Sequence, residues 1–198
     1  MYRLIESIKL KNRQLQNIEW HNRRFNEARA QLFGRNDYVD LQQLIVVPES
    51  LQDNIYKCRV LYNMEIESVE FQLYIPKRVK RLQLVEDNKI DYKYKYENRQ
   101  EINHLLAKKG QADDILIVKN GCITDTSYSN IVFFDGKHWV TPDTFLLNGT
   151  KRQLLLSEYQ IDMAHITPSD LKRYTLAKPI NSMLDFDETP AIQIQFLT

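Results

Sequence analysis

The chain has 198 residues, 43% hydrophobic and 27% charged, with Lys+Arg 27 against Asp+Glu 26. That length carries one sizeable core or two small lobes, and the balance is that of an ordinary folded protein rather than a disordered one. A net charge of +1 leaves no basic field for nucleic acid, and the longest unbroken apolar run, four residues (44–47 for example), is too short to cross a membrane. Charges inside the apolar N-terminal stretch argue against a secretory signal, and a cytoplasmic location is expected.

The elements follow in chain order. Residues 2–10 alternate as a strand with β-branched Ile5 and Ile8, and residues 19–33 carry helical spacing that ends at Gly34. Residues 56–64, 68–75 and 79–85 predict three strands, closing an α/β lobe over 1–86, with a turn at Asp87-Asn88. A second lobe over 90–198 opens on the lysine–tyrosine alternation of residues 92–96, then a helix over 97–109 stopped by Gly110. Residues 114–118, 122–124, 130–134 and 138–140 predict strands, with hairpins at Asn120-Gly121 and Asp135-Gly136. A helix from Gly149-Thr150 to Glu158, a strand over 161–166, a capped short helix at 167–170 and strands near 178–181 and 191–196 complete the chain.

The five glycines (34, 110, 121, 136, 149) lie at least eleven positions apart, so neither a GxGxxG nor a Walker loop exists. The histidines (21, 104, 138, 165) and the cysteines (58, 122) form no CxxC, HxH or HxxxH pair, and no metal is expected. The two cysteines sit in strand-like surroundings, as buried thiols of a reducing compartment do.

Four clusters could carry chemistry. Lys95 shares one face of the 92–96 segment with Lys93, opposite the tyrosines. From the residues alone it is a solvated lysine, an inward lysine able to act as a Schiff-base nucleophile, or part of a basic and aromatic RNA patch. Acidic Glu86, Asp87, Asp91 and Glu97 interrupt that patch. Residues 121–130 (GCITDTSYSN) place a carboxylate and many hydroxyls before an apolar strand, as a polar loop or as a site. Residues 147–152 (LNGTKR) enter a helix whose first amides could hold an anion. His21 and Arg24 lie on the first helix, in a pattern that also fits a solvated basic face.

The order and spacing of these motifs resemble the class IV aminotransferases, pyridoxal-phosphate (PLP) enzymes that include branched-chain and D-amino acid aminotransferases and aminodeoxychorismate lyase. Ile5-Glu6-Ser7-Ile8 is similar to the family's opening ET/ES strand, and His21-x-x-Arg24-Phe25 to its H-x-x-R-L helix. Lys95-x-x-Asn98-Arg99 resembles K-x-x-N-R, nearest the lyase branch. Ala112-Asp-Asp-Ile-Leu, Asn120-Gly-x-Ile-Thr-Asp-x-Ser-x-Ser-Asn130, Thr141-Pro142, Leu147-x-Gly-Thr-Lys-Arg152 and Ile180-Asn-Ser-Met183 follow in the family's order.

The resemblance implies a two-lobed, D-amino acid aminotransferase-like α/β fold with PLP in the seam, and a homodimer. It makes Lys95 the internal-aldimine lysine that then shuttles the substrate's Cα proton. Arg24 becomes the phosphate anchor, completed by the Thr150 and Lys151 amides, with Asn181 and Ser182 closing the phosphate side and Asn98 a further cofactor contact. Asp125 stands where the family usually has glutamate and would face the pyridine nitrogen. The chain is several tens of residues shorter than is usual in the family, so loops of the first lobe must be trimmed. Aminodeoxychorismate lyase is the first expectation for the activity. An aminotransferase on a small amino acid and a non-catalytic PLP-binding relative are the alternatives.

Overall fold

The computed structural model describes residues 2–193 and 196–197. The chain forms two compact units, Met1–Ile75 with Tyr94–Asn98, and Pro76–Lys93 with Arg99–Thr198. The lobes expected from the sequence, 1–86 and 90–198, differ from these units: 76–86 falls in the second unit and Tyr94–Asn98 in the first.

In the first unit, β1 (Leu4–Lys11) turns through β2 (Gln14–Leu15) and pairs antiparallel with β3 (Tyr56–Tyr62), which pairs antiparallel with β4 (Ile66–Leu73). Alternation sends Leu4, Ile8 and Leu10 to one face of β1, where all are buried with Cys58, Val60 and Tyr62 of β3. Helix α1 (Ile18–Phe33) covers that face with Phe25 and Ala28, and Gly34 ends it at φ 67, a left-handed cap that costs glycine nothing. A short helix, α2 (Leu41–Leu44), begins where the Asp40 carboxylate accepts the Gln42 N–H. No periodicity announces it, since four residues are too few to show one.

Residues 92–96 are not a strand. Asp91 accepts the Lys93 N–H in a local turn, and only Tyr96 bridges Leu4. The expected helix over 97–109 is shorter, α3 (Gln100–Leu106), prolonged by a 3-10 turn at Ala107–Lys109.

Arg29 of α1 is fully buried and latches this unit: Nε donates to the Met64 carbonyl at 2.8 Å, Nη1 to the Asp37 carbonyl and Nη2 to the Asp37 carboxylate, each at 2.9 Å. Arg29→Met keeps the buried volume but strips these acceptors of their donors. Urea unfolding is expected to show a loss of about 3 kcal/mol. A change below about 0.5 kcal/mol would mean the latch is dispensable.

The second unit holds two sheets. β5 (Leu82–Glu86) pairs in parallel with β6 (Asp114–Lys119), which turns at Asn120-Gly121 into antiparallel β7 (Cys122–Thr126). Asn120 and Gly121 both have positive φ, 52 and 77, as an Asn-Gly hairpin requires. The other sheet runs β10 (Asp162–Ala164), β9 (Trp139–Pro142), β8 (Asn130–Phe134), β11 (Leu176–Ile180) and β12 (Ile192–Gln193). Helix α4 (Thr150–Ser157) packs Leu155 against Val132, Ile161 and Ile180. Of the expected strand at 191–196, residues 192–193 form β12 and 196 begins β13 (Phe196–Leu197), while 194–195 lie outside the described residues.

Candidate active site

In the first unit the site grows from an exception to the alternation of β1. The inward row reads Leu4, Glu6, Ile8, Leu10, and Glu6 is as fully buried as its apolar neighbours. Two residues one helical turn apart on α1 meet its carboxylate. Arg24 approaches side-on, with Nε 2.8 Å from Oε1 and Nη2 2.5 Å from Oε2. His21 Nδ1 lies 2.6 Å from Oε2. Burial alone would raise the Glu6 pKa, but the charge of Arg24 and the bond to His21 outweigh it and lower it to about 2. Burial lowers the His21 pKa, helped by the positive charges of Arg24 and Lys95 against the pull of Glu6. An ionised carboxylate can only accept, so Nδ1–H of His21 is the donor.

Lys95 joins this group through the backbone. Its carbonyl accepts the Ile5 N–H at 2.9 Å, and the Glu97 N–H returns to the Arg3 carbonyl, so residues 95–97 lie along the free start of β1. Tyr94 and Tyr96 pack on the core of the unit, while Lys95 is half-buried, Lys93 exposed and Asn98 exposed.

In the second unit β7 delivers Asp125, 5% exposed, into a closed set of donors. Oδ1 accepts from Asn130 Nδ2 at 2.8 Å, and Oδ2 accepts the N–H groups of Leu146 at 3.1 Å and Leu147 at 3.0 Å. Burial raises its pKa to about 6 even so, against those bonds and the Arg152 charge. The hydroxyl-rich 126–129 segment is a turn held from within. The Thr126 N–H donates to the Ser129 carbonyl, and the Ser129 N–H to Thr126 Oγ1. It is held from outside by Arg99, donating to the Ser127 carbonyl, and by Asn181 Nδ2, 2.8 Å from Ser129 Oγ.

Asn130 also donates to the Leu147 carbonyl at 2.8 Å, and Gly149 leads from there into α4. A Cβ at Gly149 would lie 2.1 Å from Asn130 Oδ1, so only glycine lets the helix start sit this close to the carboxylate's partner. Gly149 brings no side chain to cap α4, and the helix opens on buried Thr150 and half-buried Lys151. Arg152, also buried, braces the loop by donating to Asn148 Oδ1 and the Pro142 carbonyl. Ser182 is half-buried after β11, next to Asn181.

The structure thus gathers Arg24 and Lys95 with Glu6 and His21 in the first unit. In the second it gathers Asp125, the start of α4 and Asn181 around the 126–130 turn. Sequence reasoning named Glu6 only as a motif letter, and His21 only as part of a basic cluster on the first helix. The available signal was one charge in the apolar row of a strand. The Leu146 and Leu147 amides left no signal, because backbone N–H groups have no letter of their own.

The family model described as "Amino-transferase class IV" matches residues 3–186. An uncharacterised protein of Haemophilus influenzae is 37% identical over 185 residues, covering 92% of this chain and 98% of that one. A crystal structure from Haemophilus somnus, provisionally named a 4-amino-4-deoxychorismate lyase, superposes with a TM-score of 0.85 at 29% identity, over 92% of this chain and 97% of that chain. A Mesorhizobium loti structure, provisionally named an amino-acid aminotransferase, shares the fold with a TM-score of 0.82 at 21% identity, over the full length of both chains.

The residues present suit the PLP on which that family depends. The first unit offers an amine and a guanidinium fixed by a buried carboxylate. The second offers a buried carboxyl group whose pKa burial raises to about 6 and a helix start cleared of side chain at Gly149.

Proposed function

The chain belongs to the class IV aminotransferase family, and from that premise we propose that it is a 4-amino-4-deoxychorismate lyase, releasing pyruvate and 4-aminobenzoate. Membership makes it a PLP-dependent enzyme. The observation that carries the narrower reading is the match to the Haemophilus somnus structure, 29% identical to this chain against 21% for the equally short Mesorhizobium loti structure. The Lys95-x-x-Asn98-Arg99 spacing supports it.

In this reading each side chain has one task. Lys95 would hold PLP through its amine, and the same amine is placed to act as the base for the proton on the substrate carbon that bears the amine. Arg24 and the Thr150 and Lys151 amides would hold the phosphate, with Asn181 and Ser182 in support. Asp125 would keep PLP's ring nitrogen protonated, and Asn98, two residues before the α3 start, would be a lesser contact. When bound, PLP supplies the sink for the electron pair left on that carbon. Aromatisation of the substrate ring drives the break of its C–O bond, the electron pair leaving on the enolpyruvyl oxygen, and the enol so formed takes up a proton to become pyruvate. An aminotransferase would instead deliver the proton to the cofactor, using the same lysine.

The two reactions leave different products, which gives the test. Holoenzyme mixed with stoichiometric 4-amino-4-deoxychorismate is expected to give 4-aminobenzoate fluorescence and pyruvate. Leucine, D-alanine and glutamate are expected to give little pyridoxamine phosphate. Rapid pyridoxamine phosphate formation from an amino acid, without 4-aminobenzoate, reverses the reading in favour of transamination.

A further inference from the structure

We propose that Glu6 is the positioning residue for the cofactor's phosphate anchor: it sets the guanidinium of Arg24 in the one orientation that serves the phosphate. This rests on the reading of Arg24 given above and deepens it.

A carboxylate in an otherwise apolar inward row is expensive to bury, and a leucine there would pack the core as Leu4 and Ile8 do. What Glu6 provides instead is orientation. Side-on pairing engages Nε and one Nη2 hydrogen of Arg24, which fixes the guanidinium plane and directs its opposite edge away from Glu6. His21, three residues earlier on α1, occupies Oε2 as well, so the carboxylate cannot rotate away with Arg24. The neighbouring arginine shows what the same side chain does without such a partner. Arg23 pairs with Glu27 one turn along α1, and both are more than half exposed. That pair is solvated and free to rearrange, whereas the Arg24 side chain is 14% exposed and its carboxylate 0%.

The same strand also sets Lys95. Ile5, the residue before Glu6, donates its N–H to the Lys95 carbonyl. β1 therefore carries, on adjacent residues, the backbone tie of the lysine and the side-chain tie of the arginine. A shift of one residue in β1 would turn Glu6 to the other face and release Arg24. The position of the charge is thus tied to the register of the strand.

The test separates positioning from folding by asking the protein to distinguish PLP from pyridoxal, which has the same aldehyde and ring but no phosphate. Apoprotein is titrated with each by absorbance and protein fluorescence, and the affinity ratio is read. Wild type is expected to prefer PLP by at least about 100-fold. Glu6→Gln is expected to lower that preference about tenfold or more while leaving pyridoxal affinity within about twofold, because only the phosphate contact has been misdirected. Glu6→Asp, which keeps the charge one methylene short, is expected to fall between.

If Glu6→Gln weakens both ligands in parallel, or changes neither, Glu6 is merely structural and the proposal is overturned. Should Glu6→Gln fail to fold, the ratio in Glu6→Asp decides in the same way, and a wild-type ratio there overturns it. Arg24→Ala serves as the independent check. If it leaves the preference intact, the phosphate role of Arg24 fails, and this proposal with it. If it abolishes the preference while the Glu6 variants retain it, only the positioning role fails.

Discussion

Borohydride treatment of the yellow holoprotein is expected to bleach its visible band and fix the cofactor on Lys95, and Lys95→Arg is expected to lose the band and at least about 1,000-fold in turnover. The effect is large because one amine serves twice, as the group that binds the aldehyde and as the base. Arginine keeps the charge but cannot lose a proton near neutral pH. Two lysines compete for the role. Lys93 is exposed, its N–H tied to Asp91 in a local turn. Lys95 is half-buried, its backbone is tied to β1, and its charge is felt by buried His21. Peptide mapping of the reduced protein decides between them. A label on Lys93, or a Lys95→Arg variant that still turns over, removes Lys95 from the reaction.

The two lysines also show how far sequence reaches. Alternation of lysine and tyrosine over 92–96 promised a strand with the lysines on one face. The segregation of tyrosines toward the core is present, but the chain turns at 91–93 and only Tyr96 bridges β1. Period-two patterning reports which side is buried, not whether a partner strand exists to complete the ladder. Where the signal is local, it holds. The helix expected over 19–33 is Ile18–Phe33 with Gly34 at its cap, and Asn120-Gly121 turns as an Asn-Gly hairpin does.

What fails is non-local. Residues 79–85 read as the third strand of the first lobe, yet β5 pairs in parallel with β6, some thirty residues on, and parallel pairing leaves no mark on the residues between. The amide pair that holds Asp125 lies more than twenty residues from it and is invisible for the same reason.

Asp125→Asn is expected to retain PLP but to lose about 100-fold or more in turnover, because a neutral amide cannot hold the pyridine nitrogen in its protonated form. Asp125→Glu is expected to be milder, since it restores the residue usual in the family, although the extra methylene must be fitted among the Leu146, Leu147 and Asn130 donors. Full activity in the Asn variant would show that the carboxylate faces elsewhere. The apoprotein supplies a second readout that needs no cofactor. Burial raises the Asp125 pKa from 3.8 to about 6, so folding takes up a proton, and this residue's contribution to stability grows as pH falls from 7 toward 4. Between pH 7 and pH 5 that gain is about 1 kcal/mol. His21 acts in the opposite sense over the same window, because its lowered pKa lets the unfolded chain take up a proton first. Glu6 is silent there, since its stabilising effect is lost only below its ordinary value of 4.5, as pH falls toward about 2. Urea unfolding at the two pH values, wild type against Asp125→Asn, therefore isolates Asp125. The variant should lack about 1 kcal/mol of the wild-type response to acid, and equal responses would mean that the buried carboxyl does not titrate in this range.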